Sequence, residues 1–221
     1  MTRILLVATV HEELGLASVL TAQHAILERG RPDVIFLEIP PDVFHDFEAG
    51  IRSNLESRAA RQYREDNDIA LVPVDLTTPD ESFFKDIQYL DRRLSTTSSA
   101  YRRLIDQHSY DVAAYGFPYL NSHRCSSAWS DIYAAMHAGI QHLSRDTRLR
   151  EIFERWRHTN ALRDSAMLSS IADYCSRSPF KNGVLLIGAA HRQSILEKSG
   201  RGHEGNTLQI SPALLGDLDL Q

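Results

Sequence analysis

Leu5-Leu6-Val7-Ala8-Thr9-Val10-His11 and Leu185-Leu186-Ile187-Gly188-Ala189-Ala190-His191 align without a gap. Each is an apolar run rich in strand-favouring residues, followed by three small or uncharged residues and a histidine. Short apolar runs of this kind read as buried strands. After the first comes a helical pattern from about Glu13 to Arg29, in which Leu16, Val19, Leu20, Gln23, Ile26 and Leu27 share one stripe before Gly30 and Pro32 stop it. Asp33 to Ile39 (DVIFLEI) is then a second buried strand, closed by Pro40-Pro41. Strand, helix, strand is a βαβ unit, which implies parallel strands. After the second run a helix is expected over Arg192–Ser199 and a last strand over Asn206–Ser211. Glu38 in LEIPP falls where Gln209 stands in LQISP, which extends the match and points to a duplication.

Between these ends, Ile69–Leu76 gives a third strand, and Pro73 inside it predicts an edge or bulge. The middle is helical. Phe83, Ile87, Leu90 and Leu94 form one stripe; Ile132, Met136, Ile140 and Leu143 form another; a long pattern runs from about Arg148 to Cys175. Ala113 to Ser127 carries Gly, Pro, Asn and Ser and reads as a loop. The expected fold is a single α/β domain over residues 1–221 with a central, mostly parallel sheet. Two repeat-related βαβ-like halves, 1–79 and 179–221, flank a helical insertion, 80–178.

Composition bounds the function. A chain of 221 residues buries roughly 70% of its unfolded surface, so its core needs no metal or disulfide. The formal charge of −5 argues against non-specific nucleic-acid binding, which needs a basic surface. Cys125 and Cys175 form neither a disulfide framework nor a CxxC pair, so a reducing, cytoplasmic setting is expected. The beginning of the chain does not read as a signal peptide, and no run approaches the length of a membrane helix.

Ligands of parallel sheets bind beyond the carboxyl ends of the strands. His11 and His191 stand just past two such ends, Glu38 past a third and Asp75 near a fourth. With the first two strands paired, these residues would meet at one rim. Glu38 ends an apolar run, and a charge there is costly unless it is paired or coordinates a cation. On the long helix, Phe153, Trp156, Asn160, Arg163, Met167, Ile171 and Tyr174 share a face that is apolar except at Asn160 and Arg163. An arginine on such a face needs carboxylates or carbonyls, and Glu38 or Asp75 would satisfy it.

Other candidates have ordinary explanations. Glu12 and Glu13 suit a helix start. His24 and His137 read as flank residues. Tyr115, Tyr119, Asn121, His123 and Cys125 belong to the expected loop, and Cys125 as a nucleophile needs a base beside it.

Ala8-Thr9-Val10-His11, Glu38 in LEIP, Arg163 in LRDSAM and Gly188-Ala189-Ala190-His191 together resemble the TraB/Tiki superfamily, with its pheromone-shutdown, ChaN-like and erythromycin-esterase-like relatives. That family carries two GxxH motifs, a strand-end glutamate and a late-helix arginine. The likeness covers roughly residues 3 to 40 and 155 to 195. It departs at Ala8, where the family has glycine, which puts crowding or a forbidden backbone angle in question. The resemblance implies a hydrolase of peptide, amide or ester bonds, metalloprotease-like or esterase-like. In that reading His11, Glu38 and His191 hold a divalent metal (Mn, Co, Fe or Zn) or position a water, and Arg163 orients substrate or stabilises negative charge. The alternative is a non-catalytic protein binding a peptide, haem or small molecule at the same rim. A structural module is a third reading.

Overall fold

Strands β1 (Arg3–Thr9), β2 (Val34–Leu37), β3 (Ala70–Pro73), β4 (Asn182–Gly188) and β5 (Ile210–Pro212) form one sheet in the order β3-β2-β4-β1-β5. Every pairing is parallel. The structure is a computed structural model and describes residues 2–15, 20–143, 146–200 and 209–213. Leu6, Val7, Ile35, Phe36, Leu185 and Leu186 are fully buried, as expected of a parallel sheet covered on both faces. Pro73 lies on an edge strand, where its missing N–H costs no ladder bond.

The order corrects one expectation. β1 does not pair with β2; β4 lies between them. Residues 183–187 of β4 are buried throughout, so this late strand takes the centre of the sheet. In the β1–β4 register Leu5 faces Val184, one residue before the Leu185 with which it aligns in sequence.

The helices are α1 (Leu20–Gly30), α2 (Phe44–Glu48), α3 (Leu55–Asp66), α4 (Glu81–Thr97), α5 (Ser99–Leu120), α6 (His123–His142), α7 (Thr147–Arg177) and α8 (Arg192–Gly200). The expected helix start at Glu13 is not observed: residues 13–15 are non-helical, and Leu16 and Val19 lie outside the described residues, as do residues 206–208 of the expected last strand. The expected loop over Ala113–Ser127 is mostly helix. Its turn chemistry is confined to two points. Gly116, at φ 51° and ψ −134°, breaks α5, and Pro118 begins the next turn, where a missing N–H is harmless. Ser122 then caps α6 by accepting from the Cys125 N–H.

α3 was not anticipated. Asn54 and Ser57 close a reciprocal capping box at its start. α7 joins two cores: Phe153 packs in a helical core with Leu90, Leu94 and Ile132, while Met167 and Ile171 pack on the sheet. Its middle therefore crosses the strand ends, which brings Arg163 there.

Candidate functional site

The carboxyl ends of four strands deliver the cluster. His11 follows β1, Glu38 follows β2, Asp75 follows β3 and His191 follows β4. Arg163 reaches down from α7. Its Nε donates to Asp75 Oδ1 at 3.0 Å, and its Nη2 donates to Asp75 Oδ2 at 2.8 Å and to Glu38 Oε1 at 2.6 Å. The remaining nitrogen, Nη1, lies 3.4 Å from His191 Nε2. A guanidinium only donates, so neutral His191 accepts in this contact on Nε2 and carries its proton on Nδ1, which meets Asp164 Oδ1 at 2.6 Å; protonated, its Nε2 faces Glu38 Oε1 at 3.4 Å instead. The other oxygen of Glu38, Oε2, accepts from the Gly188 N–H at 2.6 Å.

His11 is paired in the same manner. Its Nδ1 stands 3.0 Å from Glu56 Oε1, which also accepts from the Thr9 hydroxyl at 2.5 Å. The His11 side chain is 55% exposed while that of Glu56 is 4% exposed. The cluster thus holds two histidine–carboxylate pairs on either side of an arginine clamped by two buried carboxylates.

Electrostatics follow from this crowding. The hydrogen bond to Glu56 raises His11 from 6.5 to about 9, against the opposing effect of burial. Burial disfavours the Glu38 carboxylate, but His191, His11, Arg163 and the Gly188 N–H outweigh it and hold the carboxyl below its ordinary value. Burial opposes the charge on Arg163, yet its bonds to Asp75 and the field of Glu38 raise its affinity for the proton. Asp164 is lowered because its bond to His191 overcomes burial.

Gly188 is needed for space. A Cβ there would lie 3.2 Å from Glu38 Oε2 and 3.5 Å from His11 Nε2. Both groups therefore face one point above this glycine. Gly188→Ala fills that point without demanding a forbidden backbone angle. The expected result is a loss of about 10²-fold in any turnover at the rim with a cooperative melt retained. Unchanged turnover in parallel kinetic and thermal assays would remove that point from the site. Ala8, in the matching place of the first motif, raises no such conflict. It lies inside β1 with an ordinary backbone angle, and the Asn121 side chain clamps its N–H and carbonyl at 2.8 and 3.0 Å.

Several sequence candidates lie elsewhere. Glu13 pairs with Arg58 at 3.3 Å and Glu12 is exposed. Tyr119 bonds His108, Asn121 holds β1, and Tyr115 is 49% exposed beside Arg124. Cys125 is buried, and burial pushes its thiol up to about 11, which does not suit a nucleophile. Glu56, Asp164 and Thr9 were missed. The Asn54-x-x-Ser57 pattern is the one signal that could have revealed the helix bearing Glu56, and Asp164 stands next to Arg163 in sequence, but no spacing links either to a histidine far along the chain.

A metal fits this arrangement poorly. Among the described residues no group of three or more His, Cys, Asp or Glu side chains is disposed to hold one. Both Glu38 oxygens are engaged, and a guanidinium already stands against the two carboxylates a cation would seek. Also among the described residues, no helix is long and apolar enough to cross a membrane.

These features define an α/β protein with a buried arginine–carboxylate cluster and two histidine pairs over the carboxyl edge of a parallel sheet. No family model and no curated protein matches the chain. A crystal structure of a Bacillus cereus protein is similar at 11% identity and a TM-score of 0.37, over 89% of this chain and 63% of that one, so this chain spans less than two thirds of its length.

Proposed function

We propose that the rim is a metal-free hydrolytic site for an ester, amide or peptide bond, along the lines that the resemblance to the TraB/Tiki superfamily implies. The observation that carries this reading is the half-exposed His11 ring, tied to buried Glu56 through Nδ1 and turned with Nε2 toward Glu38 above Gly188. The paired carboxylate fixes the ring's orientation and raises its basicity. In the proposed reaction a water held over Gly188 gives its proton to neutral His11 Nε2, and the hydroxide attacks the carbonyl carbon. Arg163 Nη1, the guanidinium nitrogen not taken by a carboxylate, donates to the oxyanion. When the tetrahedral intermediate collapses, protonated His11 returns the proton to the departing alcohol or amine. His191, set by Asp164, accepts from the same Nη1 and steadies the guanidinium. The same reading treats Leu5–His11 and Leu185–His191 as repeat-related segments; its support is the gapless match and the position of both histidines beside Glu38. A divalent metal would have to displace Arg163, so chelation is expected to leave turnover unchanged.

The pH profile tests the proton role. Only neutral His11 accepts a proton, so kcat/KM on a chromogenic ester panel should rise about tenfold per pH unit below the pKa of about 9 and level above it. His11→Asn should abolish that limb. A profile that falls above pH 9 would make His11 a proton donor instead. Stability moves the opposite way. A raised folded pKa contributes stability that is complete below about 6.5 and is lost as pH climbs through about 9.

A further inference from the structure

A cleft of about 570 Å³ opens between α6 and α7, walled by Tyr133, His137, Phe153, Trp156 and Asn160, with Asp164 and His191 at its inner end. Its volume lies in the range of small-molecule sites. Three of the walls are aromatic and touch one another. Tyr133 and Trp156 meet edge to face with centroids 5.3 Å apart, and Phe153 and Trp156 stack at 5.9 Å with an interplanar angle of 26°. Such a surface favours a flat ring over an aliphatic group of equal size, because ring quadrupoles add to area burial.

The charge around the cleft is one-sided. Asp164 is the single acid among its lining residues, and it is committed to His191 at 2.6 Å and to Lys198 at 3.6 Å. Arg157 lines the opening; among the described residues its ion pair is with exposed Glu154 at 3.5 Å, and its guanidinium lies over the Phe153 ring, 5.7 Å from the centroid; His137 and Asn160 add further donors. His191 belongs to both places: Nδ1 faces the Asp164 end of the cleft, and Nε2 faces Arg163 and Glu38. A ring seated in the cleft would bring its substituent to the edge of the proposed hydrolytic rim.

We infer that this cleft binds the ring portion of the substrate, a planar aromatic group carrying a carboxylate, and sets the specificity of the site. The substrate assignment rests on the hydrolase reading; the binding itself does not. The test is calorimetric titration of the full chain with 1-naphthoate, and with cyclohexanecarboxylate as a non-aromatic anion of like charge. Naphthoate should bind at least about tenfold more tightly than cyclohexanecarboxylate. His11→Asn should leave that affinity unchanged. Trp156→Ala should weaken it about tenfold; because Trp156 also packs on the helical core, Ala134→Trp provides a second blockade from an exposed lining position. Equal affinity for the two anions, or naphthoate binding indifferent to Ala134→Trp, would overturn the inference. Naphthoate binding with no hydrolysis of any ester would leave the cleft assigned and the hydrolase reading refuted. His11-dependent hydrolysis without naphthoate binding would do the reverse.

Discussion

Arg163→Met should destabilise the protein by about 3–5 kcal/mol, the cost of leaving a buried charge without its partner. For a chain of this length that is a fall in Tm of roughly 6–20 °C. The reason is local. The side chains of Glu38 and Asp75 are each 4% exposed, and the same guanidinium serves both. The remaining bond to Glu38, from the Gly188 N–H, does not neutralise it. Two further results should accompany the loss. The triple variant Arg163→Met/Glu38→Gln/Asp75→Asn should regain most of the stability, since replacing all members of a buried ionic group is far cheaper than removing one. The single variant should also recover as pH falls toward 5, where unpaired buried carboxyls take up protons. In the natural protein the lowered Glu38 contributes stability that is present throughout this range and is lost only on acidification below its ordinary value, so the gap to the variant should narrow at pH 5. Calorimetric melts at pH 5 and 8 measure all of this. A Tm within 2 °C of the natural protein at pH 8 would show that water reaches both carboxylates.

The largest expected effect on turnover belongs to His11. His11→Asn preserves a donor toward Glu56 but has no proton acceptor at the Nε2 position, so kcat/KM should fall by about 10²–10⁴-fold, the usual range for general-base catalysis. The side chain is half exposed, so above about pH 9, where His11 is neutral, its loss should shift Tm by no more than about 2 °C, with a larger fall at lower pH where the charged pair with Glu56 is also lost. Glu56→Gln should act through His11. The expected signature is an ascending limb displaced from about 9 toward 6.5, together with a smaller loss of rate. A merely structural Glu56 would lower Tm and leave the limb in place. Full turnover in His11→Asn would end the proposed mechanism, whatever the binding data show.

The residues at the heart of the cluster were legible because each violates its surroundings. Glu38 is a charge at the end of the apolar run Val34–Leu37, and Arg163 is a charge on an apolar helix face. Such violations have few physical remedies, and here each supplies part of the remedy for the other. Strand periodicity likewise announced β1, β2 and β4, since a strand buried on both faces leaves an unbroken apolar run. The gapless match of the two histidine segments drew attention to His11 and His191 together.

Tertiary structure decided the rest. Strand order is set by which faces pack best, and no local pattern in β1 or β2 could reveal that β4 would come between them. Pro118 and Gly116 look like loop residues in sequence, but α5 absorbs them as a single kink because the flanking turns are buried: Val112, Phe117 and Leu120 are each no more than 1% exposed. His137 read as an ordinary flank residue until α6 and α7 closed the cleft around it. Glu56 and Asp164 are ordinary acids on helices until the fold brings the first 3.0 Å from His11 and the second 2.6 Å from His191. The sequence by itself determined which elements form and which charges need partners, because propensity and burial act within one segment. Which carboxylate meets which histidine depended on packing between segments distant in the chain, and that information exists only in three dimensions.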